Sequence, residues 1–262
     1  MGLVPTMGAL HEGHASLFRR ARENGDVVVA TIFVNPRQFN DESDLAAYPR
    51  TPDHDVAVAV ANGVECLIVP RLEAMWPNYP DPTATTVSVR GASDSLEGAG
   101  RPGHFDGVVS VVAKLLTVTG PCRVYFGEKD FQQVVVVRQM IRDLAFDVEI
   151  ESCPIERDSD GVAFSSRNVL LSPDARQRAA ALSRAMALVA STPATAREHC
   201  AIMRDVLSSA GVETLYAVVV DPITLVPSGD DESGPRRALV AGIVDGVRLI
   251  DNAPVTLRAR SH

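Results

Sequence analysis

Apolar positions in the first part of this chain form short, nearly unbroken runs, separated by stretches in which they recur with a helical period. Residues 27–34 are a near-continuous run rich in β-branched side chains, as expected of a strand covered on both faces. Leu3 and Val4 predict an earlier strand, and residues 15–21 continue from it with a helix-like pattern. A helix is predicted over 53–62, stopped by Gly63, and then a strand over 64–69. Residues 107–118 have helical length, 123–126 read as a short strand, 131–144 as a helix and 147–150 as another strand. Strands alternating with helices predict parallel βαβ units, hence a doubly wound α/β sheet whose ligands sit at the carboxyl ends of the strands.

The pattern changes near residue 172. Residues 173–189 and 194–209 predict two alanine-rich amphipathic helices, broken by Thr192-Pro193. A strand follows at 215–220, then a polar loop at 228–237. Strands at 238–244 and 247–251 flank Asp245-Gly246, a strong hairpin signal. The expected organisation is an α/β domain over residues 1–156 and a small α+β C-terminal domain over 157–262.

Composition narrows the class. The 262 residues are 46% hydrophobic, enough for a full core. The longest apolar runs, such as 108–112 and 134–137, fall far short of the roughly 18 residues of a membrane span. A net charge of −8 argues against a general nucleic-acid binder. Cys66, Cys122, Cys153 and Cys200 are scattered, without C-x-x-C spacing, and no signal peptide precedes the first motif. A cytoplasmic, reduced protein is expected.

Four segments carry chemistry. The first is Pro5-Thr6-Met7-Gly8-Ala9-Leu10-His11-Glu12-Gly13-His14, a strand end, a glycine turn and two histidines opening a helix. Free N–H groups and the dipole at a helix start attract phosphate, and two imidazoles three positions apart can donate to the same oxygens. The spacing does not match the i, i+4 histidines of a zinc protease. A surface loop with two chance histidines is the plain alternative. In the second, Asn35-Pro36 stops a buried strand, and Gln38 offers a carboxamide suited to a hydroxy acid. The third, Gly127-Glu128-Lys129-Asp130, follows a strand, with Gln133 one helical turn past Lys129. Read plainly, it is a surface helix cap. The fourth, Asp160-Gly161-Val162-Ala163-Phe164-Ser165-Ser166-Arg167-Asn168, puts two hydroxyls beside a guanidinium, good ligands for a polyphosphate or simply a serine-rich turn between domains.

Together P-T-M-G-A-L-H-x-G-H, I-F-V-N-P-x-Q-F, G-E-K-D-x-Q-Q and D-G-x-A-x-S-S-R-N resemble the pantoate–β-alanine ligase (pantothenate synthetase) family, of the H-x-G-H nucleotidyltransferase superfamily. Ala47-Tyr48-Pro49-Arg50, Arg101-Pro102-Gly103-His104-Phe105 and Leu249-Ile250-Asp251-Asn252 add to the resemblance, which covers essentially the whole chain. It implies a Rossmann-like first domain, a small lid domain and a homodimer formed through the first domain. It also implies a two-step reaction: pantoate carboxylate attacks the α-phosphate of ATP, giving pantoyl adenylate and pyrophosphate, and the β-alanine amine then displaces AMP. By resemblance the catalytic set is His14, His11, Lys129 and Arg167, with Mg²⁺ as cofactor. The ATP site comprises Met7, Gly8, Ala9, Leu10, His11, Glu12, Gly13, His14, Gly127, Glu128, Lys129, Asp130, Glu156, Phe164, Ser165, Ser166 and Arg167. Gln38 and Gln133 match the pair that grips pantoate, with Met7 lining that pocket; swinging of the lid about residues 156–160 would bring 165–167 onto the phosphates.

Some positions depart from the family pattern. Relatives carry a further segment before the first strand, which favours a misassigned start codon. Phe164 replaces a methionine, and Glu156 stands where an apolar residue near adenine is common, its side chain expected to face solvent. Asp55 matches a carboxylate linked to Mg²⁺, although an isolated helical acid more often lies on the surface. Two other functions remain: an adenylyltransferase acting on a phosphorylated acceptor, and a degenerate, non-catalytic relative.

Overall fold

The computed structural model describes residues 1–258; the last four positions of the expected second domain lie outside them. The chain divides into two compact units. One comprises Met1–Glu128 and Gln132–Pro154; the other comprises Lys129–Phe131 and the chain from Ile155 on.

In the first unit, β1 (Gly2–Thr6), β2 (Val28–Ile32), β3 (Cys66–Ile68), β4 (Cys122–Gly127) and β5 (Val148–Cys153) form one parallel sheet in the order β3-β2-β1-β4-β5. Between them run α1 (Glu12–Glu23), α2 (Glu42–Ala47), α3 (Pro52–Ala61), α4 (Leu72–Met75), α5 (Glu97–Gly100), α6 (His104–Thr119) and α7 (Phe131–Asp143). Both faces of the central strands are covered, which is why β1 and β2 are nearly all apolar, whereas the edge strand β5 carries Glu149 and Glu151. On one face Val4, Val28 and Ala30 pack with Phe18 of α1 and Ala59 of α3. On the other, Leu3, Val29 and Val124 pack with Val109 and Val112 of α6 and Val136 of α7. The fold is the Rossmann-like, doubly wound sheet expected from the sequence. Chain order reverses at β1, which pairs with both β2 and β4, so the switch point where such sheets bind ligands lies at the carboxyl ends of these strands.

The second unit holds α8 (Pro173–Ser191), α9 (Ala196–Ser209) and an antiparallel sheet of β6 (Glu213–Val220), β7 (Gly234–Val244) and β8 (Val247–Leu257). Ala175, Ala179, Ala181 and Ala185 are buried along α8, so the helix meets the sheet through small side chains. Ser172 caps α8, accepting from the Ala175 N–H at 3.2 Å, and Thr195 and Glu198 form a reciprocal box at the start of α9. The Asp245-Gly246 hairpin forms as expected. The loop expected over 228–237 does not extend that far: β7 begins at Gly234, because Arg236 and Arg237 pair with β8 rather than facing open solvent.

Candidate active site

The turn after β1 is built around Asp55. This carboxylate is 2% exposed, so the surface reading of it is wrong. Its Oδ2 accepts from the Ala9 N–H at 3.1 Å, and its Oδ1 accepts from the Leu10 N–H at 2.8 Å and the Thr51 hydroxyl at 3.0 Å. Gly8 is indispensable here: its φ is +79°, and a Cβ would lie 2.8 Å from Asp55 Oδ2. Thr6 Oγ1 accepts the Gly8 N–H and donates to the Thr31 carbonyl, tying the turn to β2. Two expectations change. The N–H groups of Ala9 and Leu10 are spent on Asp55, which leaves those of Glu12 and Gly13 at the helix start for an anion. Asp55 is a buried loop anchor with three donors rather than a surface acid, and among the described residues no cluster of three or more His, Cys, Asp or Glu side chains could hold a metal ion.

His11 and His14 stack with ring centroids 4.1 Å apart at the start of α1. His14 Nδ1 accepts the His11 N–H at 3.3 Å. An Nδ1 that accepts puts the proton of the neutral ring on Nε2, so His14 presents a donor. Glu12, at the same helix end, is paired with Arg19, which offsets its repulsion of an anion. Met7 is half-buried in the same turn.

Gln38 follows β2, whose end is stitched to β1 by the Phe33 N–H donating to Thr6 O at 3.0 Å. Gln38 is buried and held from both ends. Asn35 Nδ2 donates to its Oε1 at 3.1 Å, and Trp76 Nε1 fixes Asn35 by donating to Oδ1 at 2.9 Å. The Gln38 carbonyl lies 2.7 Å from His104 Nδ1. With Oε1 engaged, the Gln38 amide offers its N–H groups to a ligand. Gly107 lets α6 pass this turn, since a Cβ there would lie 2.2 Å from Arg37 O. From the sequence Asn35 was read only as a strand stop and His104 only as part of a family motif, and Trp76 was not singled out; none was assigned the task of holding Gln38.

Two adjacent glutamines on α7 differ completely. Gln132 is saturated: its Oε1 accepts from the Glu97 N–H, and its Nε2 donates to Ala92 O and Ser95 O, all within 2.9 Å. Gln133 is half-buried, and its side chain makes no hydrogen bond to another described residue. Of the two, Gln133 is the one available to a substrate.

Gly127 ends β4, and Glu128 and Asp130 flank Lys129 in the short turn that follows. The Lys129 ammonium is 3.4 Å from Asp130 Oδ1. In the second unit, Ser165 Oγ accepts the Arg167 N–H at 3.3 Å, and Asn168 Nδ2 donates to Ala163 O at 3.0 Å. The backbone of Glu156 accepts from the Phe164 N–H at 3.0 Å; its side chain is partly buried rather than open to solvent. Ser166 lies in the same half-buried turn.

The pantoate–β-alanine ligase family model matches residues 1–254. The chain belongs to that family. It is 49% identical to the pantothenate synthetase of Cereibacter sphaeroides, over 97% of this chain and 91% of the relative. The Paracoccus denitrificans pantothenate synthetase is also 49% identical, over 98% and 91%. A crystal structure of pantothenate synthetase from Thermus thermophilus superposes with a TM-score of 0.89 at 45% identity, covering 96% of this chain and 91% of that one. Pantoate–β-alanine ligase from Francisella tularensis, complexed with β-γ ATP and β-alanine, gives 0.77 at 33% identity, covering 96% and 88%. The pantoate–β-alanine ligase family carries out ATP-dependent ligation, and this chain is a ligase of that kind rather than an adenylyltransferase or a non-catalytic relative.

Proposed function

We propose that this ligase joins pantoate to β-alanine through an enzyme-bound pantoyl adenylate, with the following division of labour. Gln38 and Gln133 grip pantoate beside Met7. Its carboxylate oxygen attacks the α-phosphorus of ATP, and the bond to the bridging oxygen breaks, releasing pyrophosphate. Negative charge grows on the α-phosphate and the leaving group. His14 donates from Nε2 and His11 lies against it, while Lys129, Ser165, Ser166 and Arg167 supply cations and hydroxyls. Gly8, Gly13, Gly127, Glu128, Asp130, Glu156 and Phe164 shape the nucleotide site. The β-alanine amine then attacks the acyl carbon, AMP leaves and the ammonium proton is lost. Mg²⁺ bound to the phosphates of ATP would neutralise part of their charge, and it would need few protein ligands because magnesium keeps most of its water.

The observation that carries this reading is the pair of oriented donors at the ends of neighbouring strands. His14 is set by the His11 amide, and Gln38 is set by Asn35. A strand-end site with one donor for phosphate and one for a hydroxy acid suits transfer of an adenylyl group between them. The F. tularensis complex with β-γ ATP and β-alanine supports the choice of both substrates. No described helix is long and apolar enough to cross a membrane. Four free cysteines support a cytoplasmic location, and the exposed Val56 and Val60 on α3 support a homodimer.

Pyrophosphate release tests the reaction. With ATP, Mg²⁺ and pantoate alone, a burst limited to the number of sites is expected, becoming steady turnover to AMP and pantothenate once β-alanine is added. Pyrophosphate release that ignores pantoate would overturn the assignment.

A further inference from the structure

Lys129–Phe131 belong to the second unit although the chain on either side belongs to the first. The reason is a buried polar network on β7 and β8. Asn252, 2% exposed, donates from Nδ2 to the Lys129 carbonyl at 3.0 Å. Its Oδ1 accepts from Arg237 Nε at 2.7 Å, so the amide has one orientation: flipped, it would set N–H against N–H and oxygen against oxygen. Arg237 is itself buried, its guanidinium 4.3 Å from the ring centroid of Phe131.

The preceding residue faces a second motif. Asp251, 3% exposed, binds Arg157 through two hydrogen bonds of 2.6 and 2.8 Å, and its Oδ1 also accepts the Asn252 N–H at 2.8 Å. These bonds from Asp251 hold the Arg157 guanidinium more firmly in its charged form. Arg157 bridges to Ala163 across the turn that leads into 165–167. One dipeptide in β8 therefore holds the Lys129 turn on one side and the base of the Ser-Ser-Arg segment on the other. Burying such charges is costly, and apolar residues of like volume would pack the hairpin as well, so packing alone does not account for the network.

We propose that Asn252 and Asp251 are positioning residues that set Lys129 and the 165–167 segment as one phosphate-gripping body, with Arg237 locking the Asn252 amide. The proposal rests on the roles given above to Lys129 and Arg167. In this arrangement the spacing between the two cations is set by hydrogen bonds within a single unit.

A double-mutant cycle in the full-length protein tests it. Asn252→Asp keeps an acceptor for Arg237 but turns an oxygen toward the Lys129 carbonyl. Pantoate-dependent pyrophosphate release should fall about 10- to 100-fold, with the pantoate KM unchanged. In a Lys129→Ala background the same substitution should change the rate by less than about twofold, because it acts through Lys129. An equal loss in both backgrounds, or none in either, overturns the proposal. If Asn252→Asp fails to fold, Arg237→Lys decides by the same criterion, since it removes only the Nε donor and keeps a cation near Phe131. Should the unmutated enzyme release no pyrophosphate, the functional reading fails. The cycle is then read by calorimetry on affinity for a non-hydrolysable ATP analogue, where the same loss and the same non-additivity are expected.

Discussion

The turns after β1 and β4 both carry cationic or donor side chains at strand ends, yet they are held in opposite ways. The first is fixed through its N–H groups by a carboxylate, Asp55, from a helix of its own unit. The second is fixed through a carbonyl by an amide, Asn252, from a strand more than a hundred residues later. Using N–H groups as anchors removes them from phosphate binding, so the first turn relies on imidazoles and the helix start. Anchoring a carbonyl spends neither the turn's N–H groups nor its lysine ammonium, which pairs with Asp130 beside it. The chemistry of the anchor therefore determines which atoms a turn has left for its ligand.

The largest test of that contrast is Asp55→Asn. An amide can accept from only one of the two N–H groups and sets its own NH₂ against the other. A shift of His11 and His14 by about 1 Å should lower pyrophosphate release about 100-fold. Loss of charged hydrogen bonds should cost about 3 kcal/mol in urea unfolding. Wild-type activity in a destabilised variant would show that the carboxylate only supports the fold.

The two glutamines of α7 give a smaller, sharper pair. Gln133→Ala should raise the pantoate KM by about 10- to 100-fold with no change in unfolding free energy, since the side chain bonds no other described residue. Gln132→Ala should cost about 2 kcal/mol of stability by freeing the 92–97 segment. Exchanged outcomes would reverse their roles.

The smallest effect concerns the turn before 165–167. Arg176, through its hydrogen bonds and charge, holds the Asp160 carboxyl below its ordinary value. The resulting stabilisation is complete above the unfolded carboxylate range, near about pH 4, and is lost as pH falls through the lowered folded value. Arg176→Gln should therefore be less stable than the parent at neutral pH, and the two should converge in acid. A stability difference that stays constant with pH would contradict this.

Most of the first unit was readable because strands buried on both faces announce themselves as apolar runs, as residues 27–34 do. The H-x-G-H turn and the Asn-Pro strand stop were readable for a local reason: each opens or closes an element within a few residues. Long-range anchors were not. Asp55 stands between Pro52-Asp53-His54 and a run of alanines and valines, and nothing nearby indicates that its partners lie at residues 9 and 10. Arg236 and Arg237 read as loop because two arginines rarely begin a strand. Asn252 and Phe131, distant in sequence, hold Arg237 as an interior residue.

The interleaving of the two units also limits how this enzyme can be recombined. A chimera that exchanged everything after Pro154 between relatives would import a new Asn252 and Arg237 but keep the old Lys129 and Phe131. The transplanted hairpin would then meet a foreign turn at the position it must grip. Crossovers in this family should succeed when the short segment at 129–131 travels with the C-terminal half, although it is separated from that half by an entire helix and strand.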